Sequence, residues 1–142
     1  MKTADPYLNF NGTTEKAFNY YKSVFGGEFK SLQRFRDFPD AGKVPPEALD
    51  MIMHIELPLG PNNTLMGTDA PESMGFILAT GNNFSILINA DSEEEASRLF
   101  KSLSSGGKVT MELMKTFWGA YYGACTDKFG VQWMINFTYK KA

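Results

Sequence analysis

The stretch Lys22-Ser23-Val24-Phe25-Gly26-Gly27 ends an amphipathic segment, and a similar stretch, Lys101-Ser102-Leu103-Ser104-Ser105-Gly106-Gly107, ends a second one. The two stretches begin at positions 22 and 101, which are 79 residues apart, slightly more than half of the 142-residue chain. A repeat of this length is typical of duplicated supersecondary modules rather than of a short-period solenoid. The sequence therefore predicts two modules of similar structure.

The residues around the first stretch predict a strand over 7–10, a helix and three further strands over 29–35, 51–57 and 64–68. Thr13 fits the N-cap of the helix, and Gly26-Gly27 fit its end because glycine accepts the left-handed conformation. The apolar stripe at helical spacing consists of Ala17, Phe18, Tyr21, Val24 and Phe25.

The second half repeats this order, with strands predicted over 84–89, 109–115, 120–126 and 132–139. Ser92 and Glu95 fit a capping box in which Glu95 reaches back to the amide of Ser92. Residues 127–130 begin with Asp and end with Gly, a type I turn signature that would join the last two strands as a hairpin. The helical stripe consists of Ala96, Leu99, Phe100 and Leu103, followed by Gly106-Gly107.

Both halves thus predict the order β-α-β-β-β and an α+β fold with a mainly antiparallel, curved sheet. We expect one domain over 1–142, with module one at about 1–69, module two at about 84–142 and a linker over 70–83.

Composition narrows the classes of function. Hydrophobic residues make up 43% of the chain and charged residues 21%, which excludes general disorder. A net charge of −2 provides no field for a nucleic acid or an acidic membrane, so neither is expected as a partner. The single cysteine excludes an intrachain disulfide and a cysteine-based zinc cluster. The chain shows no secretory signal and no uninterrupted apolar run, which predicts a soluble cytoplasmic protein.

Several stretches of the sequence are similar to those of one superfamily: Tyr7-Leu8-Asn9-Phe10-Asn11-Gly12, residues 20–27, Leu65-Met66-Gly67-Thr68-Asp69-Ala70, Thr116-Phe117-Trp118-Gly119-Ala120 and residues 126–136. Through them the chain resembles the PhnB-like branch of the vicinal oxygen chelate superfamily, which includes glyoxalase I, extradiol dioxygenases and bleomycin-resistance proteins. Some members of this branch carry a demethylubiquinone methyltransferase label. The sequence has no Gly-rich strand-to-helix loop for an adenosyl cofactor, so we do not expect a methyltransferase.

The resemblance implies that the two modules enclose a ligand cavity and that two copies pair as a homodimer. Metal-dependent members of the superfamily place one His or Glu ligand on each of four strands. These positions fall on Pro6 or Tyr7, on Glu56, on Ser85 and on Met134. Because one ligand of four is kept, a glyoxalase-type metal centre is not expected.

His54 and Glu56 are the main candidates for chemistry. Residues two apart on a strand share a face, about 6–7 Å apart along it. The pair would contact a polar ligand, act as acid and base, or bind one divalent metal with solvent. A zinc-type site takes three or four protein ligands, and no third His or Cys partner exists here. A His–Glu pair hydrogen-bonded in the wall or facing solvent is the structural alternative.

Five other residues complete the candidate pocket. Ser85 and Asn89 share a strand face and would offer hydrogen bonds in an apolar cavity. Tyr122 and Met134 are expected to face that cavity, and Trp118 is expected to be a pocket or dimer contact.

Four residues are assigned structural roles. Trp133 should pack in the core, and Asp69 should cap its own turn. Asp127 should be a turn residue. Cys125 has no basic neighbour in the sequence that would make it reactive.

Three classes of function stay open. The incomplete metal-ligand set favours a metal-independent small-molecule-binding protein without a cofactor. The first alternative is a glyoxalase-type lyase or isomerase with a relocated metal at His54 and Glu56. The second is a non-catalytic dimeric scaffold whose cavity is collapsed core.

Overall fold

The computed structural model describes residues 1–140, which form two compact units, Met1–Ala79 and a second unit that begins at Thr80. Each unit contains one twelve-residue helix and one four-stranded sheet. Unit one consists of β1 (Tyr7–Phe10), α1 (Thr14–Phe25), β2 (Ser31–Arg34), β3 (Ile52–Leu59) and β4 (Asn63–Asp69). Unit two consists of β5 (Ile86–Asn89), α2 (Glu93–Ser104), β6 (Lys108–Lys115), β7 (Ala120–Thr126) and β8 (Gln132–Thr138). The predicted α+β fold with two β-α-β-β-β modules is confirmed.

The two sheets have the same connectivity. The strand order is β1-β4-β3-β2 in unit one and β5-β8-β7-β6 in unit two. In each sheet the pair that includes the first strand is parallel, and the other two pairs are antiparallel. The first strand therefore lies beside the last strand of its own unit, which is a long-range pairing in the sequence.

Each helix buries its apolar stripe against one face of its sheet. In unit one the helix stripe meets the strand residues Leu8, Ile55, Leu57 and Leu65, all of them buried. In unit two the buried strand residues are Cys125, Trp133 and Ile135. The predicted burial of Trp133 is confirmed. Side chains alternate along a strand, so the remaining strand residues point away from the helix.

The helix ends differ in detail from the prediction. Thr13 makes no side-chain cap on α1, and the Thr14 amide donates instead to Asp69, 3.2 Å away. Ser92 caps α2 by accepting from the Glu95 amide at 3.0 Å, as expected. The Glu95 carboxylate, however, accepts from the Asp91 amide rather than from that of Ser92.

Two strand boundaries bear on the candidate site. β5 begins at Ile86 instead of residue 84, so Ser85 precedes the strand. The turn after β7 forms as predicted, with the Gly130 amide donating to the Asp127 carbonyl at 3.0 Å, and β7 and β8 pair as a hairpin. Between β2 and β3 lie three short 3-10 turns, Phe35–Asp37, Ala41–Lys43 and Pro46–Ala48. Neither helix of the described residues is long and apolar enough to cross a membrane.

Candidate functional site

The face of the unit-one sheet that points away from α1 carries polar and titratable side chains. We call it the unit-one face and define it by six residues: Tyr7, Asn9, His54, Glu56, Met66 and Thr68. Strand register brings its members into rows. Tyr7 on β1 pairs with Met66 on β4, and Met66 pairs with Glu56 on β3. The alternation of side chains places all three on the same side of the sheet.

A chain of contacts, one hydrogen bond and one ion-pair distance, joins three of these side chains. The Tyr7 Oη lies 2.8 Å from His54 Nδ1, and His54 Nε2 lies 3.3 Å from Glu56 Oε1. The Tyr7 and His54 rings are tilted by 31° with centroids 5.6 Å apart. The side chains of His54 and Glu56 are 27% and 23% exposed, so both are partly accessible to solvent.

The two contacts of His54 differ in kind. Its Nδ1 shares a hydrogen bond with the Tyr7 hydroxyl, and the tautomer of the imidazole decides which group donates. Its Nε2 lies at ion-pair distance from the Glu56 carboxylate. Burial, followed by the negative charge of Glu56, raises the pKa of Tyr7 above its ordinary value of 10. The phenol therefore stays protonated throughout the physiological pH range.

The donor set does not fit a glyoxalase-type metal centre. Among residues 1–140 no group of three or more His, Cys, Asp or Glu side chains is placed to hold a metal ion. His54 and Glu56 supply two donors, and Tyr7 is a phenol whose raised pKa disfavours the phenolate that a metal would bind. A site of this kind normally has at least three protein ligands.

The corresponding face of unit two is more apolar. Met134 on β8 lies between Leu87 on β5 and Ala124 on β7. The Asn136 amide donates to Asn89 Oδ1 at 3.1 Å, and Asn136 pairs in register with Tyr122. The structure thus brings the candidates Asn89, Tyr122 and Met134 onto one face.

Two candidates lie outside the strands of that face. Ser85 immediately precedes β5, and Trp118 lies in the turn between β6 and β7. Trp118 is 61% exposed and packs edge-on against Phe117, with centroids 4.9 Å apart. Tyr121 points to the helix side, where its hydroxyl lies 3.2 Å from that of Ser97, so it is not part of the face.

The buried aspartates have larger structural roles than the sequence indicates. Asp69 does not cap its own turn. Its Oδ1 accepts from the amides of Gly12 and Thr14 and from the Thr14 hydroxyl, and its Oδ2 accepts from the Ile52 amide. Asp127 stabilises its turn as predicted and also accepts from the indole of Trp133 at 2.8 Å.

Cys125 in β7 is 1% exposed, and burial, followed by the charge of Asp127, raises the pKa of its thiol to about 11. The absence of a reactive thiolate at neutral pH agrees with the prediction.

Sequence reasoning missed Tyr7 as a partner of His54 and treated it only as a lost metal-ligand position. The two residues are 47 positions apart, and the contact arises because β1 and β4 pair in parallel while β4 and β3 pair antiparallel. The sequence does indicate that Tyr7 begins a strand in the β-α-β-β-β order that both modules share. It does not indicate the register with which that strand pairs with β4.

Comparison with known proteins identifies related chains. A family model described as 3-demethylubiquinone-9 3-methyltransferase matches residues 2–136. Protein YjdN of Escherichia coli (strain K12) is 30% identical over 139 residues, which cover 92% of both chains. The crystal structure of protein PA1353 from Pseudomonas aeruginosa is 38% identical and has a TM-score of 0.85, with coverage of 97% of this chain and 98% of that chain.

More distant structures agree in fold. A putative 3-demethylubiquinone-9 3-methyltransferase, PhnB protein, from Bacillus cereus has a TM-score of 0.77 at 23% identity and covers 96% of this chain and 99% of its own. A glyoxalase/bleomycin resistance protein/dioxygenase family enzyme from Burkholderia phytofirmans PsJN has a TM-score of 0.62 at 18% identity, with coverage of 96% and 100%. These two structures confirm the glyoxalase-type fold, and the family model confirms the PhnB-like resemblance.

Proposed function

This chain belongs to the family described as 3-demethylubiquinone-9 3-methyltransferase, and we propose that it binds a small molecule on the unit-one face without a metal ion. It is a PhnB-like, glyoxalase-like protein. The observation that supports the proposal is the chain of contacts Tyr7–His54–Glu56. These contacts involve both nitrogens of the imidazole and leave partly exposed polar atoms beside Met66.

Methyl transfer, which the family description names, is not part of the proposal. The two connections that lead from a strand into a helix, residues 11–13 and 90–92, contain one glycine between them, Gly12. Each sheet has a single parallel strand pair. In α/β proteins, nucleotides and adenosyl cofactors bind at a glycine-rich loop that connects a strand of a parallel sheet to the following helix. The described residues therefore do not fit an adenosyl cofactor.

The proposal extends to assembly and location. The resemblance to the superfamily supports a homodimer, and the net charge of −2 supports the absence of a nucleic-acid or acidic-membrane partner. A cytoplasmic location is part of the same proposal. Light scattering coupled to size exclusion tests the homodimer and should give a mass near twice 15.9 kDa.

The metal-free part is tested by elemental mass spectrometry on untagged protein purified without chelator. We expect far less than one divalent ion per subunit, including after incubation with zinc, nickel, manganese and iron(II). About one ion per subunit that is lost in both His54→Ala and Glu56→Ala would overturn the metal-free proposal. It would favour instead a lyase or isomerase with its metal on these two residues.

The binding part is tested by a thermal-shift screen of small molecules on the wild type and on His54→Ala. A ligand that binds the folded state alone raises the free energy of unfolding, by about 2.7 kcal/mol at a concentration of 100 Kd. We expect the shift to be lost in His54→Ala and kept in Glu72→Gln, a matched substitution at an exposed turn of the same unit. Equal shifts in all three proteins would place the ligand elsewhere, and no shift with any compound would favour the scaffold.

A further inference from the structure

We propose that the ligand of the unit-one face is a small organic amine in its protonated form, an inference that rests on the function proposed above. The ammonium group would donate to Glu56, and the organic part would pack against Tyr7 and Met66. The argument depends on three properties of the face: the hydrogen-bonding atoms that remain unused, its charge, and the apolar surface next to the carboxylate.

The carboxylate of Glu56 keeps free acceptor capacity. Its Oε1 lies 3.3 Å from His54 Nε2 at ion-pair distance, and neither of its carboxylate oxygens accepts a hydrogen bond from a donor among residues 1–140. An ionised carboxylate only accepts. A ligand that complements Glu56 must therefore bring a donor.

The charge of the face also favours a cation. In unit one, three other carboxylates form ion pairs with basic side chains: Glu15 with Arg34, Glu28 with Lys22 and Asp50 with Arg36. Glu56 forms no such pair with a Lys or Arg of the described chain, and its partner is an imidazole. Charge-assisted hydrogen bonds from an ammonium group to a carboxylate are stronger than neutral ones.

An apolar surface lies directly beside the carboxylate. Met66 stands between Tyr7 and Glu56 in the same row of the sheet. Its thioether is polarisable and packs well against organic groups. The Tyr7 residue is 46% exposed, and an aromatic ring face attracts a cation within about 6 Å. A ligand with a short apolar body and an ammonium head would therefore contact all three residues.

The same features disfavour an anionic ligand. The face itself contains no Lys or Arg, and its neighbours on β2 in the rows of Glu56 and His54 are Ser31 and Gln33. A carboxylate or phosphate would meet the charge of Glu56 without a compensating cation. The structure thus favours a ligand with a cationic head group over one with an anionic head group.

Three probes of one shape separate these possibilities: benzylamine, benzyl alcohol and benzoate. Each is titrated into the ¹⁵N-labelled wild type at pH 7.5, and amide shifts are followed in β1, β3 and β4. We expect benzylamine to bind at least fivefold more tightly than benzyl alcohol, and benzoate to produce no saturable shift on these strands. Glu56→Gln should reduce the affinity for benzylamine to that for benzyl alcohol, while Glu72→Gln leaves both unchanged.

Salt provides a test that needs no variant. Raising the ionic strength from 0.01 M to 0.5 M shortens the Debye length from about 30 Å to below 10 Å. The affinity for benzylamine should therefore fall severalfold, and that for benzyl alcohol should not. Benzoate binding at least as tightly as benzylamine, or benzylamine failing to shift the unit-one strands, would overturn the amine assignment. If the thermal-shift screen still finds a ligand that needs His54, the proposed function survives that failure.

Discussion

Unit one and unit two share strand order, helix position and a parallel strand pair at the same edge of the sheet, yet the faces that point away from their helices differ. Unit one presents the titratable chain Tyr7–His54–Glu56. Unit two presents Met134 between Leu87 and Ala124, with an Asn89–Asn136 amide pair at one end. One scaffold thus carries two chemically distinct surfaces.

The helix sides of the two sheets are, in contrast, built alike. Gly67 in β4 leaves room for the ring of Phe18 from α1, and Gly123 in β7 leaves room for the ring of Phe100 from α2. Each unit also contains a buried aspartate that collects several donors, Asp69 in unit one and Asp127 in unit two. The comparison indicates that folding restricts the side covered by the helix, which leaves the other side free to diverge in chemistry.

The largest effect should come from removing the two aspartates. Asp69→Ala leaves the amides of Gly12, Thr14 and Ile52 without their acceptor. Each buried donor left unpaired costs about 1–3 kcal/mol, so we expect a loss of about 3–5 kcal/mol or failure to fold. Asp127→Ala should cost about 2–4 kcal/mol, since the amides of Phe129 and Val131 and the indole of Trp133 lose their acceptor.

Urea unfolding followed by circular dichroism measures both losses. The variant Asp69→Asn keeps one carbonyl acceptor and should recover part of the stability. A loss below 1 kcal/mol for Asp69→Ala would mean that the buried carboxylate does not join β1, α1 and β3 in the manner described.

The second effect concerns the close approach of helix and sheet. A Cβ at Gly67 would lie 2.6 Å from the Phe18 ring and 3.2 Å from the Leu8 carbonyl oxygen. A Cβ at Gly123 would lie 2.9 Å from the Leu113 Cα. Overpacking of this kind costs about 1–3 kcal/mol, so Gly67→Ala and Gly123→Ala should destabilise the protein by similar amounts.

Gly42→Ala is the matched control, because nothing lies within 4 Å of its Cβ position and its φ is not in the left-handed region. It should change the free energy of unfolding by less than about 0.5 kcal/mol. Equal losses at all three positions would show that the crowding around Gly67 and Gly123 does not determine the effect, since the lower chain entropy of alanine favours the folded state at every position.

Much of this scaffold is predictable from the sequence because its signals are local. The helical stripes, the glycine stops and the turn at Asp127 each depend on residues less than about fifteen positions apart, and the order β-α-β-β-β follows from them. The alternation of residues 132–134 correctly separates Trp133 from Met134.

The site depends on long-range strand pairing. For that reason the sequence predicts His54 and Glu56 but does not predict Tyr7 as their neighbour. His54 and Glu56 lie two positions apart on one strand, whereas Tyr7 reaches them through two strand registers. Asp69 was assigned to its own turn because its partners, Gly12 and Ile52, are distant in sequence. Such pairings are set by packing of the whole sheet rather than by local propensity.

The third effect is a pH dependence that Cys125 contributes from unit two. The pKa of Cys125 rises from an ordinary value near 9 to about 11 because the thiol is buried and lies near Asp127. A pKa that is higher in the folded state gives stability that is complete below pH 9 and is lost as the pH rises through about 11. At pH 10 the loss should be about 1 kcal/mol.

Cys125→Ala should remove this contribution, which is measured as the difference between the urea midpoints at pH 8 and pH 10. Tyr139, whose pKa is raised to about 12 by burial and by its hydrogen bond to Glu93, titrates over a similar range. Tyr139→Phe serves to separate the two groups. Rapid alkylation of the native thiol at pH 8 would contradict the burial on which the prediction depends.

The smallest effect compares one tyrosine from each face. Tyr7→Phe removes the hydroxyl that is hydrogen-bonded to His54 Nδ1 and should cost about 0.5–1 kcal/mol, the net value of a single partly exposed hydrogen bond. Tyr122→Phe removes a hydroxyl that has no hydrogen-bond partner among residues 1–140, and should change stability by less than about 0.5 kcal/mol. The ¹⁵N shifts of the His54 ring nitrogens give a second readout, since Nδ1 loses its hydrogen-bond partner in Tyr7→Phe alone. If Tyr122→Phe moved those shifts as much as Tyr7→Phe does, the Tyr7–His54 hydrogen bond would not be a property of the unit-one face.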